Sequence, residues 1–432
     1  MKRNALAIML CLFLFSACGL SPEAIAKQTA TAATAIAASQ TKTATPTATP
    51  TGTPTATFTP SPIPTLLGGG SGRLLFFRDS NLYSFDITHE TGEIVLTQQQ
   101  LMEAMEIEKL FVKSVIRNVI TGFVSPDGKK ILIWACGDEN CTYAKTKFAL
   151  ATTDLSYIKI LSRFQDFQWS TDSQKLLFQP QSNEDMSTYY IIDLTDGNFG
   201  RETKLDKAYI RSATISPDSK QVYYTSKEGY NVINTDGSNK QTLTCDVCKS
   251  STRSVLIAIS PDGQKVAIAV NYEFDNLPDT MGGMISTSQY HIVITNRDFS
   301  SPKVLPPSII RFGREAEILW LPDNENIIFL NSEYDLAKQP IDLKESKDVI
   351  QIVNVVNGET RDVTSSPQPS ADYDLCGSSP DGNLITKIVS SYSVETETLQ
   401  FFIYIQDLET NNAYRLTSFD VGTERRCPTW LP

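Results

Sequence analysis

The chain of 432 residues carries 38 Lys and Arg against 49 Asp and Glu, a formal net charge of −11. A balance of that sign leaves no electrostatic footprint for nucleic acid, and no basic run stands ready for lipid headgroups. With two histidines in the whole sequence, His89 and His291, a Ser-His-Asp triad or a histidine-rich metal site has little to draw on.

The N-terminus reads as a secretory signal. Met1-Lys2-Arg3 is basic, residues 5–15 are apolar, and the small Ser16 and Ala17 precede Cys18. The apolar stretch is too short to span a bilayer. The segment Phe15-Ser16-Ala17-Cys18 resembles the bacterial lipobox, with Phe15 where that motif usually has Leu. The resemblance implies cleavage before Cys18 and lipidation of its thiol and new amino group. Gly19 in place of Asp implies an outer-membrane destination in a cell with two membranes. Loss of residues 1–17 removes Lys2 and Arg3 and takes the net charge to −13.

Residues 18–71 form a linker. From 28 to 65 the chain is almost entirely Thr, Ala and Pro, a composition that buries no core and stays extended. At roughly 3.1 Å per residue in polyproline II, its Pro-bearing half alone spans several nanometres. Thr beside Pro suits O-glycosylation as well as it suits a bare spacer. The Ala-rich stretch 22–39 is predicted to be helical, and Gly68-Gly69-Gly70 is a flexible joint.

From residue 72 the pattern becomes strand, turn, strand. Residues 73–77, 81–87 and 93–97 read as three strands, and 98–118 inserts Leu101, Met102, Met105, Leu110 and Phe111 at roughly helical spacing, predicting a short helix packed on the strands. Then the tetrapeptide Ser125-Pro126-Asp127-Gly128 appears, to recur at Ser260 and Ser379 and, degraded, at Ser170, Ser216, Leu321 and finally Trp430-Leu431-Pro432. Pro presets the second position of a type I turn, Asp suits the third, and Gly tolerates the exit. Apolar, β-branched or aromatic runs flank each copy, as in Phe123-Val124 and Ile131-Leu132-Ile133-Trp134. Starts at 125, 170, 216, 260, 321, 379 and 431 lie 44 to 61 residues apart, a period that signifies a propeller or similar array.

Each unit reads as four antiparallel strands, one propeller blade. The segment 73–97 supplies the second to fourth strands of a blade and the C-terminal Trp430 segment supplies its first. The expected fold is therefore all-β, a seven-bladed β-propeller over 72–432, with one blade completed by both termini so that no sheet edge is left open. The blade motif resembles that of the TolB-like, WD-repeat-like propellers of bacterial envelope proteins, whose turns run Trp-Ser-Pro-Asp-Gly-Lys. Trp169-Ser170, Trp320-Leu321 and Trp430-Leu431 keep the Trp, while Asp127-Gly128-Lys129 and Asp262-Gly263-Gln264-Lys265 keep the tail. The resemblance implies the fold and leaves the activity open, since related blades occur in periplasmic scaffolds, peptidase accessory domains and lyases.

Six cysteines remain after Cys11 and Cys18, an even number suited to disulfides in an oxidising compartment. Cys136 and Cys141 bracket a loop between two strands. Cys376 and Cys427 precede turn motifs in neighbouring blades, so their bridge would lock the ring. Cys245 and Cys248 form a Cys-x-x-Cys that pairs locally or, less favoured in an all-β stretch, serves a redox or zinc site.

No nucleophile elbow of the Gly-x-Ser-x-Gly type occurs. The repeated aspartates, from Asp127 to Asp381, read as structural turn residues, one per blade. Recognition is expected on the opposite face, in the longer connections between second and third strands: 272–289, 332–347 and 391–398. These hold Tyr272, Phe274, Asp275, Tyr334, Asp335 and Tyr392, aromatics beside acids that suit a protein, a basic peptide or a glycan. The sequence points to a monomeric, lipid-anchored, extracytoplasmic binding or scaffold module that needs no cofactor. The alternative is an extracellular propeller hydrolase or lyase acting on glycans from the central pocket, which needs two carboxylates set across that pocket.

Overall fold

A computed structural model describes residues 72–431 apart from 108–117, 137–145, 162–163, 181–187, 196–201, 207–209, 249–254, 279–283, 313–317, 334–346, 364–371, 394–397 and 422–426. Cys18, the linker and its predicted helix, Cys141, Tyr334 and Asp335 lie outside the described residues. Within them the chain forms seven four-stranded antiparallel sheets arranged as blades of a ring.

Blade 1 takes Thr429–Leu431 as its first strand and Arg73–Arg78, Asn81–Asp86 and Thr91–Leu96 as the rest. The closing register sets Arg73 opposite Leu431, Leu74 opposite Trp430 and Leu75 opposite Thr429. The expected joining of the two ends is thus present residue by residue. Blades 2 to 7 follow in chain order, their first strands being Asn118–Val124, Phe164–Trp169, Ile210–Ile215, Val255–Ile259, Ile318–Trp320 and Asp372–Ser378. First strands of neighbouring blades approach one another around the axis. Each is followed by a turn into the second strand, so all these turns lie on one face of the ring and the second-to-third connections on the other.

Alternation along the strands gives each sheet two apolar faces, and each face packs on the next blade. Seven buried clusters result, one at each blade interface. At the interface of blades 7 and 1, Trp430 joins Leu74, Phe76, Ile388 and Ile403. Where blade 2 meets blade 1 the Phe77 ring packs so close to the Gly122 backbone that a Cβ on Gly122 would stand 2.5 Å from it. Glycine is the residue that position admits.

The helical insertion is also present, as Gln98–Ile107. Thr97 and Gln100 cap it reciprocally: the Thr97 amide donates to Gln100 Oε1 at 2.8 Å and the Gln100 amide to Thr97 Oγ1 at 3.2 Å. Leu101 and Met105, one turn apart, are buried between blades 1 and 2. Leu110 and Phe111 lie outside the described residues.

One buried cation stands out between blades 6 and 7. Lys387, 1% exposed, donates from Nζ to Gln406 Oε1 at 2.7 Å. Burial pushes its ammonium group down to about 8, because the low-dielectric interior disfavours the charged form. Between that value and the ordinary lysine value near ~10.4 the unfolded chain binds the extra proton, so stability rises with pH across this window. Relative to Lys387→Met, the native protein should gain about 3 kcal/mol between pH 7 and the upper end of the window. Urea unfolding of both proteins at the two pH values checks this; a pH-independent difference would refute it.

Candidate ligand-binding face

The repeated aspartates are occupied by their own turns. In five blades the buried serine hydroxyl donates to the aspartate Oδ1 two residues on, at 2.5 to 2.6 Å. The same oxygen of that serine accepts the amide at the start of the next strand, at 2.8 to 3.0 Å. The aspartate also accepts the amide two residues further along. The fourth residue takes a left-handed conformation in every copy: Gly128, Gly263 and Gly382, but also Ser173, Ser219 and Asn324. Two of those non-glycine residues, Ser173 and Asn324, have a use. Ser173 Oγ accepts the Asp127 amide at 2.9 Å and Asn324 Oδ1 accepts the Asp262 amide at 2.8 Å, each reaching from one blade to the turn of the blade before it. In blade 6, where Leu321 replaces the serine, Asp323 instead accepts the amides of Glu325 and Asn326 and the Asn326 Nδ2.

These bonds set the carboxyl electrostatics. For Asp127, Asp172, Asp218 and Asp381, partial burial opposes ionisation. The serine hydroxyl and the amide two residues on, joined at Asp127, Asp172 and Asp218 by a neighbouring cation, outweigh it and hold each carboxyl below its ordinary value. A carboxylate held ionised by local donors is a structural acceptor, unsuited to general-acid work. Among the described residues no group of three His, Cys, Asp or Glu is placed to hold a metal ion.

Two of the predicted cysteine pairs are bonded. Cys376 and Cys427, with Cα atoms 5.0 Å apart, tie the first strand of blade 7 to the segment entering blade 1. Cys245 and Cys248, 5.2 Å apart, close a single turn that includes the 3-10 segment Asp246–Cys248, and the Tyr230 hydroxyl donates to the Cys248 carbonyl at 2.6 Å. Cys136 ends the second strand of blade 2, and its expected partner lies outside the described residues.

On the opposite face the structure changes the character of the expected loops. Residues 272–289 are largely strand: Lys265–Pro278 and Met284–Asn296 pair continuously from Lys265↔Asn296 to Pro278↔Met284. Phe274 and Asp275 are therefore ladder residues opposite Ser288 and Thr287. Tyr392 likewise pairs with Leu399 in blade 7, whose second and third strands run Leu384–Ser393 and Thr398–Asp407. The physical reason is that aromatic and β-branched residues continue a pleated ladder wherever a partner strand is in register.

Tyr272 sits where the ring ends and the long hairpin of blade 5 begins. The register slips between Asn271 and Glu273, making Tyr272 the extra residue of a bulge. In the next strand pair the register slips between Tyr290 and Ile292, at His291. Bulges bend strands and re-aim side chains. Here they bring the two rings together: Tyr272 stacks on His291 with centroids 3.9 Å apart and planes 10° from parallel. The Tyr272 hydroxyl donates to Gln289 Oε1 at 2.8 Å. His291 carries no motif and reads from sequence as a solvated strand or loop residue; only the register shift reveals its partner. Six residues of the second strand, 273–278, continue past the bulge, about 20 Å at the rise of an antiparallel strand.

The chain enters the ring on the other side. Gly72 precedes the second strand of blade 1 and Leu431 ends its first strand, so both lie at the turn face.

These features define a disulfide-closed, seven-bladed β-propeller with one blade drawn out into a long hairpin. No family model matches the chain, and no curated protein does. Among solved structures it is similar to an oligogalacturonate lyase in complex with manganese, at 12% identity over 80% of this chain and 85% of that one, with a TM-score of 0.45. An oligogalacturonate lyase from Vibrio parahaemolyticus shows 14% identity over 81% and 86%, TM-score 0.44, and a putative TolB from Agrobacterium tumefaciens 17% over 55% and 77%, TM-score 0.34.

Proposed function

We propose that the protein is a lipid-anchored, extracytoplasmic propeller that binds an envelope protein, peptide or glycan on the face opposite its turns, without chemistry of its own. The observation that carries this reading is the placement of the blade 5 hairpin, with its Tyr272–His291 stack, on the face away from the point where residue 72 enters the ring. The bonded pairs Cys245–Cys248 and Cys376–Cys427 support an oxidising compartment.

The full-length protein, displayed on envelope extract and on a glycan array, should retain a partner that Tyr272→Ala releases, with affinity reduced about tenfold or more. Cys18→Ser should move the protein from the membrane to the soluble fraction. Equal capture by native and Tyr272→Ala proteins would sink the assignment of the face. Turnover of an arrayed glycan would sink the non-catalytic reading.

A further inference from the structure

A cleft of about 490 Å³ opens between blades 4 and 5 on the turn face, away from the Tyr272 hairpin. Its size falls within the ~300–1,000 Å³ typical of ligand sites. The walls are of two kinds. Val232 and Leu243 form an apolar floor continuous with the buried interface of the two blades. Around it stand the carboxamides of Gln241, Gln264 and Asn296.

Arg297 is held rigidly in the wall. Its Nε donates to the hydroxyl of buried Tyr223 at 3.0 Å and its Nη2 to Gln221 Oε1 at 2.6 Å, while its backbone amide donates to the Gln264 carbonyl at 2.9 Å. Tyr223 is in turn stacked on Phe299, centroids 6.4 Å apart. Asp218 lies 3.5 Å from Nη2 and balances the charge. The two N–H groups of Nη1 have no partner among the described residues, and the side chain remains 38% exposed. A guanidinium fixed on one edge and open on the other offers a planar pair of donors at no further ordering cost.

We infer that this cleft is a subsite for a neutral saccharide of one or two pyranose rings. Neighbouring ring hydroxyls match the paired donors of Nη1, the carboxamides offer both donors and acceptors to the remaining hydroxyls, and the C–H face of the ring covers Val232 and Leu243. Lys265, the other cation lining the cleft, donates its Nζ to the Asn324 carbonyl at 3.3 Å, and Asp218 and Asp298 beside the arginine select against an anion, since a second negative charge would meet carboxylates already in place. The inference does not depend on the anchor or on the opposite face.

The test uses the full-length protein with maltose, cellobiose, chitobiose and digalacturonate as probes, followed by saturation-transfer NMR and calorimetry. At least one neutral disaccharide should bind with a Kd of about 10 mM or tighter. Leu243→Trp, which fills the floor, should abolish binding, and Arg297→Lys, which keeps charge but loses the planar fork, should weaken it about tenfold. Gln241→Ala, on an exposed rim position, should weaken it with an unchanged thermal midpoint. Absence of binding by every neutral probe, preference for digalacturonate, or binding indifferent to both Leu243→Trp and Gln241→Ala would each overturn the proposal.

Discussion

Replacing Cys376 and Cys427 together by serine should lower the free energy of unfolding by about 4 kcal/mol, while the same change at Cys245 and Cys248 should cost about 2 kcal/mol. The difference follows from chain entropy: the first bridge closes a loop with a sequence separation of 51, the second one of 3. Position adds to it. Cys427 lies two residues before the three-residue strand Thr429–Leu431, the sole first strand of blade 1. Without the bridge, that short strand holds the ring closed through its ladder and through Trp430, which is buried among Leu74, Phe76, Ile388 and Ile403. Trp430→Ala should therefore cost more in the serine background than in the native protein, because the two contacts secure the same closure and such neighbours are not additive. Urea unfolding of the five proteins, with and without reductant, measures both effects. A larger loss from the local pair than from the closing pair would show that the bridge does not secure the ring.

The second large effect is expected at the turn serines. Ser125→Ala should destabilise the protein by about 2–3 kcal/mol, since it leaves the Lys130 amide without its acceptor and takes the hydroxyl donor from the Asp127 carboxylate, which keeps the Lys129 amide and Lys130. Ser173→Ala should do so more mildly, by loss of the single bond from the Asp127 amide to the next blade. The same geometry sets the acid response. Because Asp127, Asp172, Asp218 and Asp381 are held below their ordinary values, their contribution is present in full above the unfolded carboxyl value near ~3.9 and disappears as pH falls through the lower folded values. Acid unfolding should begin below about pH 4, and Asp127→Asn should make it less steep. Equal steepness in the two proteins would remove Asp127 from the account.

The degraded turns show how far such patterns can be read. Gly128, Gly263 and Gly382 are recognisable as residues that permit a left-handed exit. Ser173 and Asn324 look like losses of that glycine, yet they accept the backbone amide of the preceding blade's turn. That role depends on which turn stands next in the ring, which local sequence does not state.

Blade number, the closing strand, the inserted helix and the Cys376–Cys427 pairing were all legible from residue order, because each follows from local turn chemistry, from period, or from position within a repeat. Tyr272 was legible as a candidate but not its stacking on His291, which arises beside register slips of one residue in one strand pair and two in the next. Arg297 and the cleft between blades 4 and 5 carried no signal, since their groups come from 221 to 298 and meet only across a blade interface. The sequence by itself determined the repeating unit, since each turn and strand is specified by its own few residues. Only the tertiary structure decided which surfaces open as sites, because these are made where separate blades meet and where register shifts re-aim side chains.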